Sequence, residues 1–195
     1  MFIKSHPNPP KEYYVNQFAL SLALFPINPI IGFGEDFCVY PLIQNYRRCR
    51  DYMKLAVYLA TIQNRYESQI SENVRTKFEA HPGYINRYRM FSIDDFVHHE
   101  RELHISGTNV GKLLSLLDFW LGHPFRKMIC HSDYKSHNTF LIDNSEEIGI
   151  LDLEELCADT PTFDLARLLA SSEIEQWEGI ISRYSAERGE DEKKV

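Results

Sequence analysis

Ile129 to Asp152 reads ICHSDYKSHNTFLIDNSEEIGILD. His131, Asp133, Lys135 and Asn138 occupy the polar positions of an H-x-D-x-K-x-x-N loop. A short apolar run follows, Thr139 to Ile142, and then the polar stretch Asp143-Asn144-Ser145-Glu146-Glu147. A second apolar run, Ile148 to Leu151, ends on Asp152. Two short apolar runs joined by a polar turn predict a β-hairpin. Such a hairpin sets its outer ends side by side. Asn138 enters the first strand and Asp152 leaves the second, so both side chains can converge on one point beside Asp133. An amide oxygen and two carboxylates form a small set of hard donors. That set suits Mg²⁺, which keeps several waters and shares its shell with phosphates.

The loop and the aspartate after it resemble the catalytic core of kinase-like phosphotransferases, and most of all the aminoglycoside phosphotransferase and choline kinase group. The resemblance implies roles by position. Asp133 would accept the proton of an attacking hydroxyl. Asn138 and Asp152 would hold Mg²⁺ on the phosphates of ATP or another nucleoside triphosphate. Lys135 would reach the transferring phosphoryl group, and His131 would be a buried support for the loop. Further on, Thr162-Phe163-Asp164-Leu165-Ala166-Arg167-Leu168-Leu169 resembles the family's Y-D-L-A helix, whose aspartate braces the loop; here that is Asp164. Only residues 153–163 lie between Asp152 and Asp164, with no A-P-E after them, and Ser132 stands where protein kinases usually carry an arginine. Both features favour the small-molecule branch over the protein kinases.

Two other readings of the same residues compete. Asp and Asn favour turns, so the five polar positions could each cap the chain locally. A zinc site could use His131, His137 and Asp133 or Asp152. It lacks an H-E-x-x-H helix and a cysteine pair.

The N-terminal third supplies the other half of the pattern. Met1 to Lys4 reads as the end of a strand, and Pro9-Pro10 as a helix start. The helix is predicted over Lys11 to Phe25, with Val15, Phe18, Ala19 and Leu22 on its apolar stripe and Glu12 facing inward. Under the resemblance, Lys4 and Glu12 are the lysine–glutamate pair that grips nucleotide phosphates. Gly32 and Gly34 do not make a phosphate-binding G-x-G-x-x-G, because Phe37 takes the third glycine's place and a strand follows. Pro29 to Ile43 is instead a hairpin that leads into a hinge at Tyr40 to Gln44, where Tyr40 and Leu42 would meet adenine through backbone groups. The strand-loop-strand that covers the phosphates in the family would precede Lys4. A fragment or a natural truncation is therefore expected, and this chain alone is expected to be a poor kinase that still binds nucleotide weakly.

Beyond the hinge the pattern turns helical. Tyr46 to Glu67 carries Cys49, Met53, Ala56 and Ala60 on one stripe, widened by Tyr52, Leu55, Leu59 and Ile62, as suits a buried helix. Ser71 to Arg89 is polar and broken at His81-Pro82-Gly83. Ser92 opens a capping box for a helix to His104, and Thr108 caps another to Leu121. His98, His99 and His104 read as a solvated face. After Asp164, one helix runs to Ser171 and another over Glu173 to Glu187, with a charged, frayed end from Gly189.

The expected fold is α+β: a protein-kinase-like two-lobe arrangement with a reduced N-terminal β lobe and hinge at 1–45 and a mostly helical lobe at 46–195. The 195 residues are 44% hydrophobic, enough for a core. A formal charge of −7 argues against nucleic acid as the main partner. The four cysteines show no C-x-x-C spacing, and Cys38 and Cys130 lie in apolar strands, so reduced, buried thiols are expected. No signal peptide or membrane-length run is present, which predicts a cytoplasmic protein without a membrane partner. The expected ligands are a nucleotide and a small-molecule hydroxyl compound such as an amino sugar or a choline-like alcohol. The alternative is a non-catalytic kinase-like binding or regulatory domain.

Overall fold

A computed structural model describes residues 1–43, 47–80, 126–142 and 147–190. The helices predicted from Ser92 and Thr108, the His98–His104 cluster, most of the polar hairpin turn and the end of the hinge lie outside these residues.

Among the described residues, three small sheets carry the strands. In the first, β1 (Phe2–Ser5) and β2 (Gly32–Phe33) flank β3 (Phe37–Tyr40), both antiparallel to it. The expected hairpin is present, and the strand at the chain start pairs along its outer edge. Between β1 and β2 runs α1 (Pro9–Leu22). It starts two residues before the predicted Lys11, because the Asn8 side chain accepts the Lys11 N–H and Pro9-Pro10 preset φ for the first turn. It ends at Leu22 rather than Phe25, where Ala23 turns left-handed at φ 52° and returns its N–H to the Leu20 carbonyl. Ala19 and Leu22 are buried in the main core, with Val15 and Phe18 packed against it.

The second sheet is β4 (Arg47–Arg48), β6 (Thr139–Leu141) and β7 (Ile148–Ile150). Here the sequence reading is corrected. Arg47 and Arg48 pair with Leu141 and Phe140 as a strand, and Cys49 is buried ahead of the helix rather than on it. The helix α2 (Tyr52–Gln69) begins only where the Asp51 carboxylate caps the Lys54 N–H at 3.0 Å. Helical spacing of apolar residues continued upstream of that cap, but the edge of the β6–β7 hairpin offered the backbone a better set of partners. A shorter helix, α3 (Glu72–Glu79), fills the start of the stretch read as polar insertion and buries Phe78.

The third sheet pairs β5 (Met128–Cys130) with β8 (Cys157–Asp159). It is followed by α4 (Phe163–Ala170) and, after a single 3₁₀ turn, α5 (Trp177–Arg188). The core centres on α2, against which α4, α5 and β5 all pack. Tyr66, Tyr134 and Tyr184 are its largest fully buried side chains. All three have polar ends that find partners, Tyr66 Oη donating to Glu79 Oε1 at 3.5 Å. Tyr184 Oη donates to Gln63 Oε1 at 2.6 Å, and Tyr134 Oη donates to the Leu55 carbonyl at 2.9 Å. The Tyr134 bond ties the Asp133 loop directly to the central helix. All four cysteines are buried and none forms a disulfide, and among the described residues no helix is long and apolar enough to cross a membrane.

The hairpin register is Thr139↔Ile150, Phe140↔Gly149 and Leu141↔Ile148. Gly149 is where it is tightest: a Cβ there would sit 2.1 Å from the Phe140 ring. Gly149→Ala is expected to destabilise the chain by about 1–3 kcal/mol. Urea unfolding of that variant, alone and with Phe140→Leu to make room, checks the cause. Relief by the second change identifies the ring as the obstacle.

Candidate active site

The β5 strand delivers the chain into the loop, and the loop is held from several sides. Its turn needs Ser132 in the left-handed region, φ 72°. That conformation is stabilised by Asp164, the first-turn acid of α4. Asp164 Oδ2 accepts the His131 N–H at 2.6 Å and Oδ1 accepts the Ser132 N–H at 2.8 Å. The ring of His131 is committed at both nitrogens. Nδ1 faces the Asp133 N–H at 3.3 Å, so the proton sits on Nε2, which donates to the Leu151 carbonyl at 2.7 Å. No nitrogen of His131 is left for a metal, which removes the zinc reading of this loop.

The Leu151 carbonyl is the last group before Asp152, itself left-handed at φ 62°. Two non-glycine residues in that region, joined by one histidine, mark the place where the backbone stores strain to aim side chains. Leu151 also donates its N–H to the Asn138 carbonyl at 2.9 Å. The outer ends of the hairpin are therefore neighbours.

Asp133 is surrounded by donors. Lys135 Nζ lies 2.6 Å from Oδ2, Asn138 Nδ2 donates to Oδ2 at 2.9 Å, and Arg167 Nη2 donates to Oδ1 at 2.9 Å. Partial burial alone would raise this carboxyl, but the Lys135 ammonium, the Asn138 amide and the Arg167 guanidinium together hold it below its ordinary value. Asn138 also donates to the Asp133 carbonyl at 2.9 Å. Its amide hydrogens are spent on Asp133, so its carbonyl oxygen is the atom available to a cation.

Asp152 reaches the other way. Its Oδ1 lies 2.6 Å from Lys4 Nζ, which also lies 3.4 Å from Glu12 Oε1. Burial would lower the Lys4 ammonium, but Asp152 and Glu12 hold it above its usual value. Glu12 is 1% exposed on the inward face of α1. Its Oε1 also accepts the Tyr40 hydroxyl. Tyr40 thus meets this site through its side chain, while Leu42 is exposed beyond β3. A small cleft lined by Glu12, Asn16, Tyr40 and Asp152 opens here.

A carboxylate and an amide oxygen at adjacent ends of a hairpin, with a second carboxylate beside them, form a donor set that fits Mg²⁺. His6, Glu12 and Glu154 also bring ligand atoms within 4.8 Å of one another. There, however, His6 Nδ1 accepts the Asn8 N–H at 3.0 Å, which places the ring proton on Nε2, between Glu12 and Glu154. A protonated nitrogen does not ligate a metal.

Several of these residues escaped the sequence reading. His6 and Glu154 belong to no pattern at the scale of a motif, and Arg167 lies in the helix stretch around Asp164 without a role read for it. Asn16 bonds the Asn28 carbonyl and the Ile30 N–H, tying α1 to the segment that leads into β2. Its one sequence signal was its position a turn after Glu12, on the same face.

Asp164 carries a testable pH dependence. Burial pushes its carboxyl up to about 6, while the two backbone N–H groups pull it back. It binds a proton more tightly folded than unfolded, so its contribution to stability is complete below about pH 4 and is lost as pH rises to about 6. Across that interval this group alone is expected to lower stability by on the order of 3 kcal/mol. Urea unfolding of wild type and Asp164→Asn at pH 4, 5, 6 and 7 should show the extra fall in wild type only.

The sequence profile of the phosphotransferase enzyme family matches residues 74–195. No curated protein sequence matches. Among solved structures, the GDP complex of wild-type aminoglycoside 2'-phosphotransferase-IIIa is similar, with a TM-score of 0.63 and 16% identity over 92% of this chain and 66% of that one. A ternary complex of streptomycin, ATP and APH(2")-IIa has a TM-score of 0.61 and 14% identity, over 95% of this chain and 67% of that one. The macrolide 2'-phosphotransferase MphH from Brachybacterium faecium, as apoenzyme, has a TM-score of 0.57 and 15% identity, over 97% of this chain and 69% of that one. This chain spans about two thirds of the length of these proteins. The fold they share with it is the α+β, kinase-like one that the resemblance implied.

Proposed function

The chain belongs to the phosphotransferase enzyme family, and on that footing we propose that it transfers a phosphoryl group from ATP or another nucleoside triphosphate to a hydroxyl of a small molecule. The observation that carries the reading is a continuous chain of contacts. It runs from Asp133 through Asn138 and the hairpin end to Asp152, Lys4 and Glu12. Phosphoryl transfer is mostly positioning and charge stabilisation, and this is the arrangement it requires.

In this reading residues 1–45 hold the nucleotide and 46–195 carry the chemistry. Asp133 orients the acceptor hydroxyl and takes its proton, while Lys135 stands ready at the phosphoryl group. Lys4, held between Glu12 and Asp152, meets the phosphates, and the backbone near Tyr40 and Leu42 meets the base. His131 and Asp164 keep the loop in shape. Asn138 and Asp152 hold Mg²⁺, which when bound supplies charge neutralisation on the phosphates. The similar structures include aminoglycoside and macrolide phosphotransferases, so the acceptor is proposed to be a hydroxylated compound of that size, neither nucleic acid nor lipid, in the cytoplasm.

The test is thermal unfolding with ATP or GTP, with and without Mg²⁺. A nucleotide added with Mg²⁺ at a hundredfold excess over its Kd should stabilise the fold by about 2.7 kcal/mol, and by much less at the same concentration without the metal. Absence of any metal-dependent stabilisation by either nucleotide would overturn the proposal. A radiolabelled γ-phosphate assay across aminoglycosides, macrolides and amino alcohols then identifies the acceptor.

A further inference from the structure

Arg167 stands one helical turn after Asp164 on α4, and side chains at that spacing leave a helix on the same face. Asp164 holds the backbone N–H groups of His131 and Ser132. Arg167 reaches past them to the carboxylate of Asp133. One turn of one helix therefore grips both the backbone of the loop and its acid.

The two oxygens of Asp133 are not equivalent. Oδ2 receives Lys135 Nζ at 2.6 Å and Asn138 Nδ2 at 2.9 Å. A carboxylate has about four acceptor positions, two on each oxygen. Oδ2 is filled by its two donors. Oδ1 takes Arg167 at 2.9 Å and keeps one position beside that contact.

Resting on the phosphotransfer reading above, we infer that Arg167 is a positioning residue that locks the Asp133 carboxylate with Oδ1 as the oxygen presented to the acceptor hydroxyl. The acceptor O–H bond breaks as its oxygen bonds the γ-phosphorus, and the proton passes to Oδ1. The bond from γ-phosphorus to the bridging oxygen breaks at the same time, and the nucleoside diphosphate leaves with that electron pair. Rotation of a carboxylate about its last torsion is soft. Without Arg167 the group pivots on Lys135 and Asn138, and a displacement of about 1 Å can cost about 10²-fold in rate. The Arg167 side chain is 43% exposed, so the pair adds little to stability and acts through orientation.

The experiment compares Arg167→Ala and Arg167→Lys with wild type in the phosphotransfer assay, alongside Tm and nucleotide binding. The expected result is a fall in kcat of about 10- to 100-fold for alanine, unchanged nucleotide KM and Tm, and substantial recovery with lysine. An unchanged kcat in Arg167→Ala, or a loss of nucleotide binding and Tm as large as the loss of kcat, overturns the inference. A second measurement does not depend on transfer: the ¹⁵N resonances of the Arg167 guanidinium in wild type and in Asp133→Asn. They are expected to move when the carboxylate is neutralised, and unmoved resonances overturn the clamp. If wild type phosphorylates no acceptor and the resonances still move, the phosphotransfer reading falls and the clamp is supported.

Discussion

Asp133→Ala is expected to lower the rate of phosphoryl transfer by roughly 10²- to 10⁴-fold while leaving Mg²⁺-dependent nucleotide binding close to that of wild type. The reason lies in what touches this carboxylate. Its partners are Lys135, Asn138 and Arg167, and none of them belongs to the N-terminal layer that carries Lys4 and Glu12. In the proposed reaction, removing it would deprive the acceptor hydroxyl of its orienting group without touching the Lys4–Asp152 contact. Single-turnover transfer and calorimetric titration with ATP and Mg²⁺ separate the two effects. A loss of nucleotide binding equal to that of transfer would show that Asp133 holds the metal and not the acceptor.

The second large effect is expected at Asp152, in the opposite quantity. Asp152→Asn should remove the metal-dependent part of nucleotide binding, and with it the ~2.7 kcal/mol of stabilisation expected at a hundredfold ligand excess. Asparagine is the informative substitution because Asp152 is left-handed at φ 62°, a conformation asparagine also tolerates. It therefore changes the charge and keeps the backbone, whereas alanine would change both. Lys4 loses the charge of its 2.6 Å partner in the same variant and keeps that of Glu12 at 3.4 Å. Binding of ATP without Mg²⁺ should consequently change much less. If metal-dependent binding survives intact in Asp152→Asn, the metal is held elsewhere.

Some of this was legible in the chain because the controlling interactions are local. Thr139–Leu141 and Ile148–Ile150 pair as the alternation of apolar runs and polar turn implied, since a short hairpin has few ways to close. The start of α1 followed the same logic in its two prolines, although the Asn8 cap set it two residues before Lys11 and the left-handed Ala23 ended it at Leu22 rather than Phe25. Inward-facing Glu12 could be read from helical phase alone, and it is buried. The helix expected from Tyr46 shows where local logic stops. Its apolar phase held from Tyr52 onward, yet Arg47 and Arg48 joined Leu141 and Phe140 of β6, far along the chain. No local propensity reports an offer of hydrogen bonds from that distance.

The sequence by itself determined the hairpin and the loop before it, in which Asp133 meets Lys135 and Asn138 and His131 reaches the hairpin's end at Leu151. It did so because their spacing and the hairpin's closure leave little freedom. Tertiary structure alone decided what surrounds them. Arg167 reaches Asp133 only because Asp164 docks α4 against the loop backbone. Lys4 reaches Asp152 only because β1 pairs with β3 and brings the chain start to the hairpin's end. His6 turns to Glu154 for the same reason. Each of these is an electrostatic contact between segments that carry no mark of one another in sequence. A charge declares its sign in the chain, but its partner is chosen by the packing of the elements that bear them.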